Sequence, residues 1–138
     1  MALKITLKPH EKMIVDGAVI TNGAGKTVFC VENNVPVLRQ KDILTEKDAN
    51  TPARRIYFVI QLMYIDGANL PRYHKQYWIL VNDFIQAAPS RLTVIDKISS
   101  CILESRYYQA LKWATQLIDY EQEATRRVSE STAGLSIY

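Results

Sequence analysis

The sequence predicts an α+β fold, in which a small N-terminal antiparallel β-sheet of about four or five short strands packs on a C-terminal bundle of about four helices. Two observations support this prediction. Residues 3–41 alternate between apolar and polar side chains with a period of two, which is typical of half-buried strands. From residue 51 onward, apolar side chains recur every three or four residues, as they do in amphipathic helices. We therefore expect one domain at residues 1–125, with a β part at 1–41 and a helical part at 42–125.

The first strand has one apolar and one basic face. Leu3, Ile5 and Leu7 alternate with Lys4, Thr6 and Lys8. Glycine turn dipeptides at 16–17 and 22–23 then separate further short runs of β-branched residues, which indicates hairpins. A small hairpin array needs an apolar cover. We expect the apolar face of the first strand to pack on the first helix.

The stretch TNGAGKTVF at 21–29 resembles the end of a phosphate-binding P-loop. A P-loop needs a glycine five residues before Gly25, but Ile20 occupies that position. The β-branched and aromatic run that begins at Val28 favours a strand, whereas a P-loop leads into a helix. The stretch is therefore predicted to be a hairpin turn at Asn22-Gly23 followed by a strand.

The helical part has clear boundaries. Thr51-Pro52 is a typical helix start, the run Ile56–Ile65 is apolar on nearly all sides, and Asp66-Gly67 ends it. This segment is predicted to be the central helix. Three more amphipathic helices are expected around residues 77–88, 92–102 and 107–118. Residues 126–138 lack a pattern and are expected to form a flexible tail.

The sequence offers no catalytic constellation. His10 and His74 are isolated from each other and from cysteines, so they do not form a metal site. Cys30 and Cys101 stand among apolar neighbours and are expected to be buried, reduced thiols. No apolar run reaches the length of a membrane span, and no signal peptide begins the chain. We expect a cytoplasmic protein that is not an enzyme and that has no metal or cofactor.

The charge distribution suggests where an anionic partner binds. The 138 residues carry a net charge of +3, and residues 1–55 hold nine Lys or Arg against six Asp or Glu, whereas the remainder holds eight of each. The surplus therefore lies in the first 55 residues, which favours a nucleic-acid surface there. The candidate RNA-binding residues are Lys4, Lys8, Lys12, Arg39, Lys41, Arg54 and Arg55.

A second function is compatible with the same residues. The segment from residue 73 to 84 is rich in aromatic side chains, and it could bind a partner helix in a groove. The candidate partner-binding residues are Tyr73, Tyr77, Trp78 and, on the same segment, Phe84. Composition and periodicity do not choose between an RNA-binding regulator and a protein-interaction module.

Four stretches resemble the flagellar biosynthesis repressor family FlbT. They are MALKITLKP at the start, GAVITNG in the turn region, LRQKDILTEKDANTPARRIYFVIQLMYID at 38–66 and YYQALKWATQLIDYE at 107–121. The resemblance covers residues 1 to about 125. The chain departs from the family pattern in two turns, with His10 in place of the usual glycine and Asp16 in place of the usual asparagine.

The resemblance implies a function in flagellum biogenesis. Members of this family control flagellin synthesis after transcription by associating with the 5′ untranslated region of flagellin mRNA. They act with or against a second small protein, FlaF, and no catalytic activity is attached to them. The expected partners are therefore a flagellin mRNA leader and a FlaF-like regulator. Homo-oligomers are compatible with this expectation, and the alternative is a flagellar assembly co-factor or chaperone-like module that does not contact RNA.

Overall fold

The computed structural model describes the backbone of residues 2–135 and the side chains of residues 2–130, and it confirms the α+β fold. The strands are β1 (Leu3–Leu7), β2 (Lys12–Val15), β3 (Ala18–Thr21), β4 (Thr27–Val31) and β5 (Val37–Arg39). They form two antiparallel sheets, one of β1 and β4 and the other in the order β3-β2-β5, where the sequence predicted a single sheet.

The two glycine turns have different roles. Asp16 and Gly17 have φ angles of 49° and 84°, and they connect the paired strands β2 and β3 as a two-residue hairpin turn of the type that needs two positive φ values. A Cβ atom on Gly17 would lie 3.1 Å from the carbonyl oxygen of Ile65, so this turn also packs closely on the helical part. The predicted hairpin at Asn22-Gly23 is wrong, because β3 and β4 belong to different sheets.

Asn22 instead joins two loops. Its side-chain amide donates hydrogen bonds to the carbonyl oxygens of Lys8 (2.8 Å) and Gly25 (2.9 Å), and its Oδ1 accepts one from the Thr27 hydroxyl (2.7 Å). Neither Gly23 nor Gly25 has a positive φ, and a Cβ on either would meet no other atom within 4 Å. The P-loop-like stretch is thus a sheet-to-sheet crossing held by Asn22, and β4 follows it as predicted.

The molecule has three layers, with the sheet of β2, β3 and β5 in the middle. Met13 on one face of β2 packs with Ile5 and Leu7 of β1, whereas Ile14 on the other face packs with the helices. The prediction that the apolar face of β1 packs on the first helix is therefore wrong. The alternation of β1 shows that one face is buried but not which element covers it, and Leu3 is 50% exposed.

Four helices form the third layer: α1 (Pro52–Ile65), α2 (Leu70–Ala87), α3 (Leu92–Leu103) and α4 (Tyr107–Leu135). The Thr51 hydroxyl accepts a hydrogen bond from the Arg54 amide (3.2 Å), which confirms the predicted start of α1. α1 packs against α2 and α4, and α3 packs against α4. Within residues 2–135, no helix is long and apolar enough to cross a membrane.

α4 is longer than the sequence pattern indicates. The predicted tail begins at residue 126, but residues 126–135 continue the helix, and residues 136–138 lie outside the described part. Ion pairs between residues three and four apart support this extension, since Arg126 pairs with both Glu123 and Glu130 at 2.6 Å. Apolar periodicity missed the segment because its helical contacts are between charged side chains.

Candidate nucleic-acid interface

The outer face of the sheet formed by β1 and β4 carries the first of the predicted RNA-binding residues, Lys4. In the antiparallel register Lys4 lies opposite Cys30 and Thr6 lies opposite Val28, so these four side chains share one face, and all four are exposed. Cys30 was expected to be buried, and this prediction is wrong. Successive side chains of a strand point to opposite faces, so Cys30 faces solvent while its neighbour Phe29 faces the core. Cys101 is buried as expected.

Lys8 and Lys26 extend this face at one end of the sheet. Leu7 pairs with Thr27, so Lys8 follows β1 and Lys26 precedes β4 at the same end. Among the described side chains, no carboxylate lies within 4.0 Å of the ammonium groups of Lys4, Lys8 or Lys26. Lys26 was not among the predicted site residues. Its sequence context, the P-loop-like stretch, suggested a nucleotide site. The pairing of β1 with β4 instead places it at the same end of the sheet as Lys8.

A tight turn fixes the position of Lys8. The Glu11 amide donates to the Lys8 carbonyl oxygen (3.1 Å), Pro9 follows Lys8, and His10 has a φ of 63°, which is the arrangement of a type II turn. The Glu11 carboxylate accepts a hydrogen bond from the Lys8 amide (2.9 Å). This backbone hydrogen bond, assisted by the Arg39 guanidinium, holds the pKa of Glu11 below its ordinary value.

Lys12, Arg39 and Lys41 are not on this face. Lys12 shares a face of β2 with Ile14, toward the helical layer, and its ammonium lies 3.3 Å from the Thr21 hydroxyl. Arg39 connects the two sheets, because its guanidinium donates to the Thr6 carbonyl oxygen (2.8 Å) and lies 3.5 Å from the Glu11 carboxylate. Lys41 is exposed in a short 3₁₀ turn after β5. The charge pattern of the sequence does not show that the Arg39 guanidinium already contacts other groups of the same chain.

Arg54 and Arg55 lie on the first turn of α1, in the helical layer. Arg54 donates a hydrogen bond to the Asn50 side chain at 3.1 Å, and Arg55 is exposed beside α2. The seven predicted residues therefore form at least two separate groups, and only Lys4 and Lys8 lie on the outer face of β1–β4.

The predicted partner-binding aromatics are mostly core. Tyr73 and Tyr77 are 8% and 0% exposed, so the prediction that Tyr77 forms a binding surface is wrong, and Phe84 is likewise buried. Tyr73 packs in the core and also lines a groove between α1 and α2. The Tyr77 hydroxyl lies 2.8 Å from the Ser99 hydroxyl, and burial raises the pKa of Tyr77 to about 12. Trp78 is 43% exposed and contacts the Tyr77 ring edge-on. The helical spacing correctly indicated that α2 has one apolar face. The sequence did not show that this face packs within the helical bundle and not against a partner protein.

The described residues contain no cluster of His, Cys, Asp or Glu that could hold a metal ion. His10 is exposed in its turn, and the Nε2 of His74 lies 3.2 Å from the Tyr107 hydroxyl. The exposed ammonium groups of Lys4, Lys8 and Lys26 at the β1–β4 sheet form a basic face that can bind phosphate groups.

Comparison with known proteins identifies similar chains. Residues 3–125 match the family model described as "Flagellar protein FlbT". The chain is 45% identical over 124 residues to a probable flagellum biosynthesis repressor protein FlbT 1 of Bradyrhizobium diazoefficiens, covering 89% of this chain and 84% of that relative. It is 39% identical over 127 residues to a probable flagellum biosynthesis repressor protein FlbT of Rhodopseudomonas palustris, covering 92% of this chain and 100% of the relative.

A third relative is the flagellum biosynthesis repressor protein FlbT of Caulobacter vibrioides, 35% identical over 135 residues with 96% of each chain covered. No solved structure matches the chain.

Proposed function

Since the chain belongs to the FlbT family of flagellar proteins, we propose that it controls flagellin synthesis after transcription by binding the 5′ untranslated leader of flagellin mRNA in the cytoplasm. The curated relatives are named flagellum biosynthesis repressors, which supports a role in regulating flagellum synthesis. The observation that carries the RNA-binding part is the exposed basic face formed by Lys4, Lys8 and Lys26.

The geometry of this face suits a phosphate backbone. Lys4 and Lys8 are separated by four residues of extended chain, or roughly 13 Å, and Lys26, which immediately precedes β4, lies at the same end of the sheet as Lys8. Ammonium groups in such a row neutralise successive phosphates and release their counterions, which supplies affinity without reading sequence. A protein bound to the leader in this way acts by occupancy, because it excludes the ribosome or changes access by nucleases.

The face contributes little to base recognition. Sequence-specific binding of single-stranded RNA uses aromatic rings on which bases stack. The outward positions of β1 and β4 hold Thr6, Val28 and Cys30 beside Lys4, and the Phe29 ring packs toward the core. We therefore propose that discrimination among RNAs depends on other surfaces or on a FlaF-like protein partner, and that this face supplies most of the affinity.

The test is a titration of a fluorescent flagellin leader RNA at several salt concentrations. We expect the double variant Lys4→Glu with Lys8→Glu to bind more weakly and to lower the slope of log affinity against log salt by about 1.4, since each phosphate contact to a single strand contributes about 0.7. Both side chains are exposed, so the melting temperature should change little.

The matched control is Lys47→Glu with Lys75→Glu, which changes the net charge equally at exposed positions of the helical layer and its preceding loop. Equal weakening by both pairs would show a bulk charge effect and would remove the site from the β1–β4 face. Absence of any RNA shift at low salt, with or without a FlaF-like protein, would contradict the RNA-binding function itself.

A further inference from the structure

A groove between α1 and α2 is independent of the basic sheet face. It has a volume of about 530 Å³ and is walled on one side by the segment around Glu46 and Ala49. Its apolar surface is formed by Phe58, Val59, Leu62, Tyr73, Ile79 and Leu80. Ile79 is 56% exposed, which is unusual for a large aliphatic side chain beside other apolar groups.

A buried side-chain amide fixes the chain next to the groove wall to α1. Gln61 is 3% exposed, its Oε1 accepts a hydrogen bond from the Leu44 amide (2.8 Å), and its Nε2 donates one to the Leu44 carbonyl oxygen (2.9 Å). These two bonds fasten the wall segment to α1 in the absence of any occupant. A preformed apolar groove loses little conformational entropy when a partner binds.

Two arginines mark the two ends of the groove. Arg55 lies in the first turn of α1, and Arg72 lies near the last turn of α1, because its neighbour Tyr73 donates a hydrogen bond to Asp66 (2.5 Å). The two positions are separated by roughly 10–15 Å, or two to three helical turns. No described carboxylate lies within 4.0 Å of either guanidinium.

The charge changes sign on the other side of α2. The cleft between α2 and α3 is also lined by Ile79, but the charged residues that line it are Asp83 and Asp96. Two arginines and one glutamate, Glu46, line the α1–α2 groove, whereas two aspartates line its neighbour, so the two differ in the charge that they favour although both expose apolar surface.

We propose that the α1–α2 groove binds an amphipathic helix of a partner protein, with an apolar stripe along the groove and carboxylates two to three turns apart that pair with Arg55 and Arg72. A helix fits because a groove between two packed helices accepts the side-chain ridges of a third. The backbone of α1 and α2 is hydrogen-bonded within each helix and offers no edge to an extended strand. The apolar surface is mostly aliphatic, and its two rings are only partly exposed at Phe58 and buried at Tyr73, so it offers little on which RNA bases could stack.

The experiment uses three fluorescent helical peptides of about 18 residues, or five turns. One has a leucine stripe flanked by glutamates, the second has the same stripe flanked by lysines, and the third has the composition of the first in a scrambled order. In fluorescence anisotropy at low salt, we expect the glutamate peptide to bind the full chain at least about tenfold more tightly than either of the others, a difference of about 1.4 kcal/mol.

Charge reversal at the groove should reverse this preference. The double variant Arg55→Glu with Arg72→Glu is expected to lose the glutamate peptide and to bind the lysine peptide more tightly, because the paired charges are exchanged. Ile79→Ser should weaken both peptides several-fold, since it removes apolar surface without disturbing a buried site. The matched control is Lys4→Glu with Lys8→Glu, which should leave the peptide affinities unchanged.

Three outcomes would overturn the proposal. They are equal binding of the glutamate, lysine and scrambled peptides, an unchanged preference in the double arginine variant, and an unchanged affinity after Ile79→Ser. If single-stranded RNA instead competes with the peptide and the arginine variant loses RNA binding, the groove is an RNA surface. The Lys4 and Lys8 variant separates these results from failure of the RNA-binding function, because it tests the other face.

Discussion

The β layers and the helical layer differ greatly in the size of their cores. Among the described residues, three fully buried side chains, Ile5, Leu7 and Met13, form the core between the two sheets, whereas twenty-one buried residues form the helical core. The middle sheet belongs to both, since Ile14 and Leu38 extend the helical core. The helical layer therefore supplies most of the stability, and the β1–β4 sheet depends on the middle sheet for its cover.

The two candidate binding surfaces lie on different layers. The basic face lies on the thin β1–β4 sheet, and the groove lies between two helices of the large core. Substitutions in the small core should therefore disturb the basic face while the groove persists. This consequence makes the layers experimentally separable.

The largest expected effects come from a buried charge in each core. Ile98→Asp should prevent folding, because Ile98 is 0% exposed and an unpaired buried carboxylate costs several kcal/mol against a total stability of roughly 5–15 kcal/mol.

Ile5→Asp should unfold β1 and β4 but leave the helices intact. Amide hydrogen exchange would show loss of protection in those strands and retained protection in α1.

The matched control for Ile5→Asp is Thr6→Asp, which adds the same charge on the exposed face. It should leave protection unchanged in both layers. If Ile5→Asp also abolishes the helical circular dichroism signal, the layers unfold as one unit and the comparison between them fails.

Alkaline pH should act first on the helical layer. Residues 1–51 contain no tyrosine, whereas burial raises the pKa of Tyr57 in α1 and Tyr77 in α2 to about 12. A raised pKa in the folded state contributes stability that is complete below the unfolded value of about 10 and is lost as pH rises toward 12. Melting temperature measured from pH 9 to 12 should therefore fall.

Tyr57→Phe isolates one of these groups. The substitution removes the hydrogen bond from the Tyr57 hydroxyl to the Asp42 carbonyl oxygen (2.7 Å), so the melting temperature at neutral pH should be lower. Its further decline above pH 10 should be shallower than in the unmodified chain. Tyr108→Phe, at a 40% exposed position, provides the control. Equal slopes in all three proteins would contradict the assignment to buried tyrosines.

Sequence reasoning succeeded where one local pattern determines the result. Thr51-Pro52 fixes a helix start through its own hydroxyl, and Asp16-Gly17 fixes a hairpin through its own backbone angles. It failed where the result depends on a distant partner. The apolar face of β1 packs against Met13, and Arg39 contacts Thr6 and Glu11. Lys26 comes to the same end of the sheet as Lys8 only through the pairing of β1 with β4. Among the site residues, exposure of Lys4 and Lys8 followed from alternation, whereas the groove at Ile79 required the packing of α1 and α2.

The smallest expected effects come from two residues with left-handed backbone angles, one in each part of the molecule. His10 has a φ of 63° in the turn after β1, and Ser105 has a φ of 60° after α3. At Ser105, the amides of Ser105 and Arg106 donate to the carbonyl oxygens of Ile102 (3.0 Å) and Cys101 (2.8 Å), which is the Schellman arrangement that favours glycine. Glycine relieves the strain of about 1–2 kcal/mol but increases the entropy of the unfolded chain, so each substitution should stabilise by roughly 0.5–1 kcal/mol.

The two glycine variants then distinguish the layers. If the β1–β4 sheet opens separately, His10→Gly should slow hydrogen exchange in β1 and β4 only, whereas Ser105→Gly should raise the melting temperature of the helical layer by roughly 2–5 °C. Gly25→Ala is the control for the loop beside His10, because Gly25 has no positive φ and its surroundings are open. It should change neither quantity appreciably. A rise in helical melting temperature of equal size in both glycine variants would mean that the small and large cores unfold together, and the thin sheet would then share the full stability of the helices beneath it.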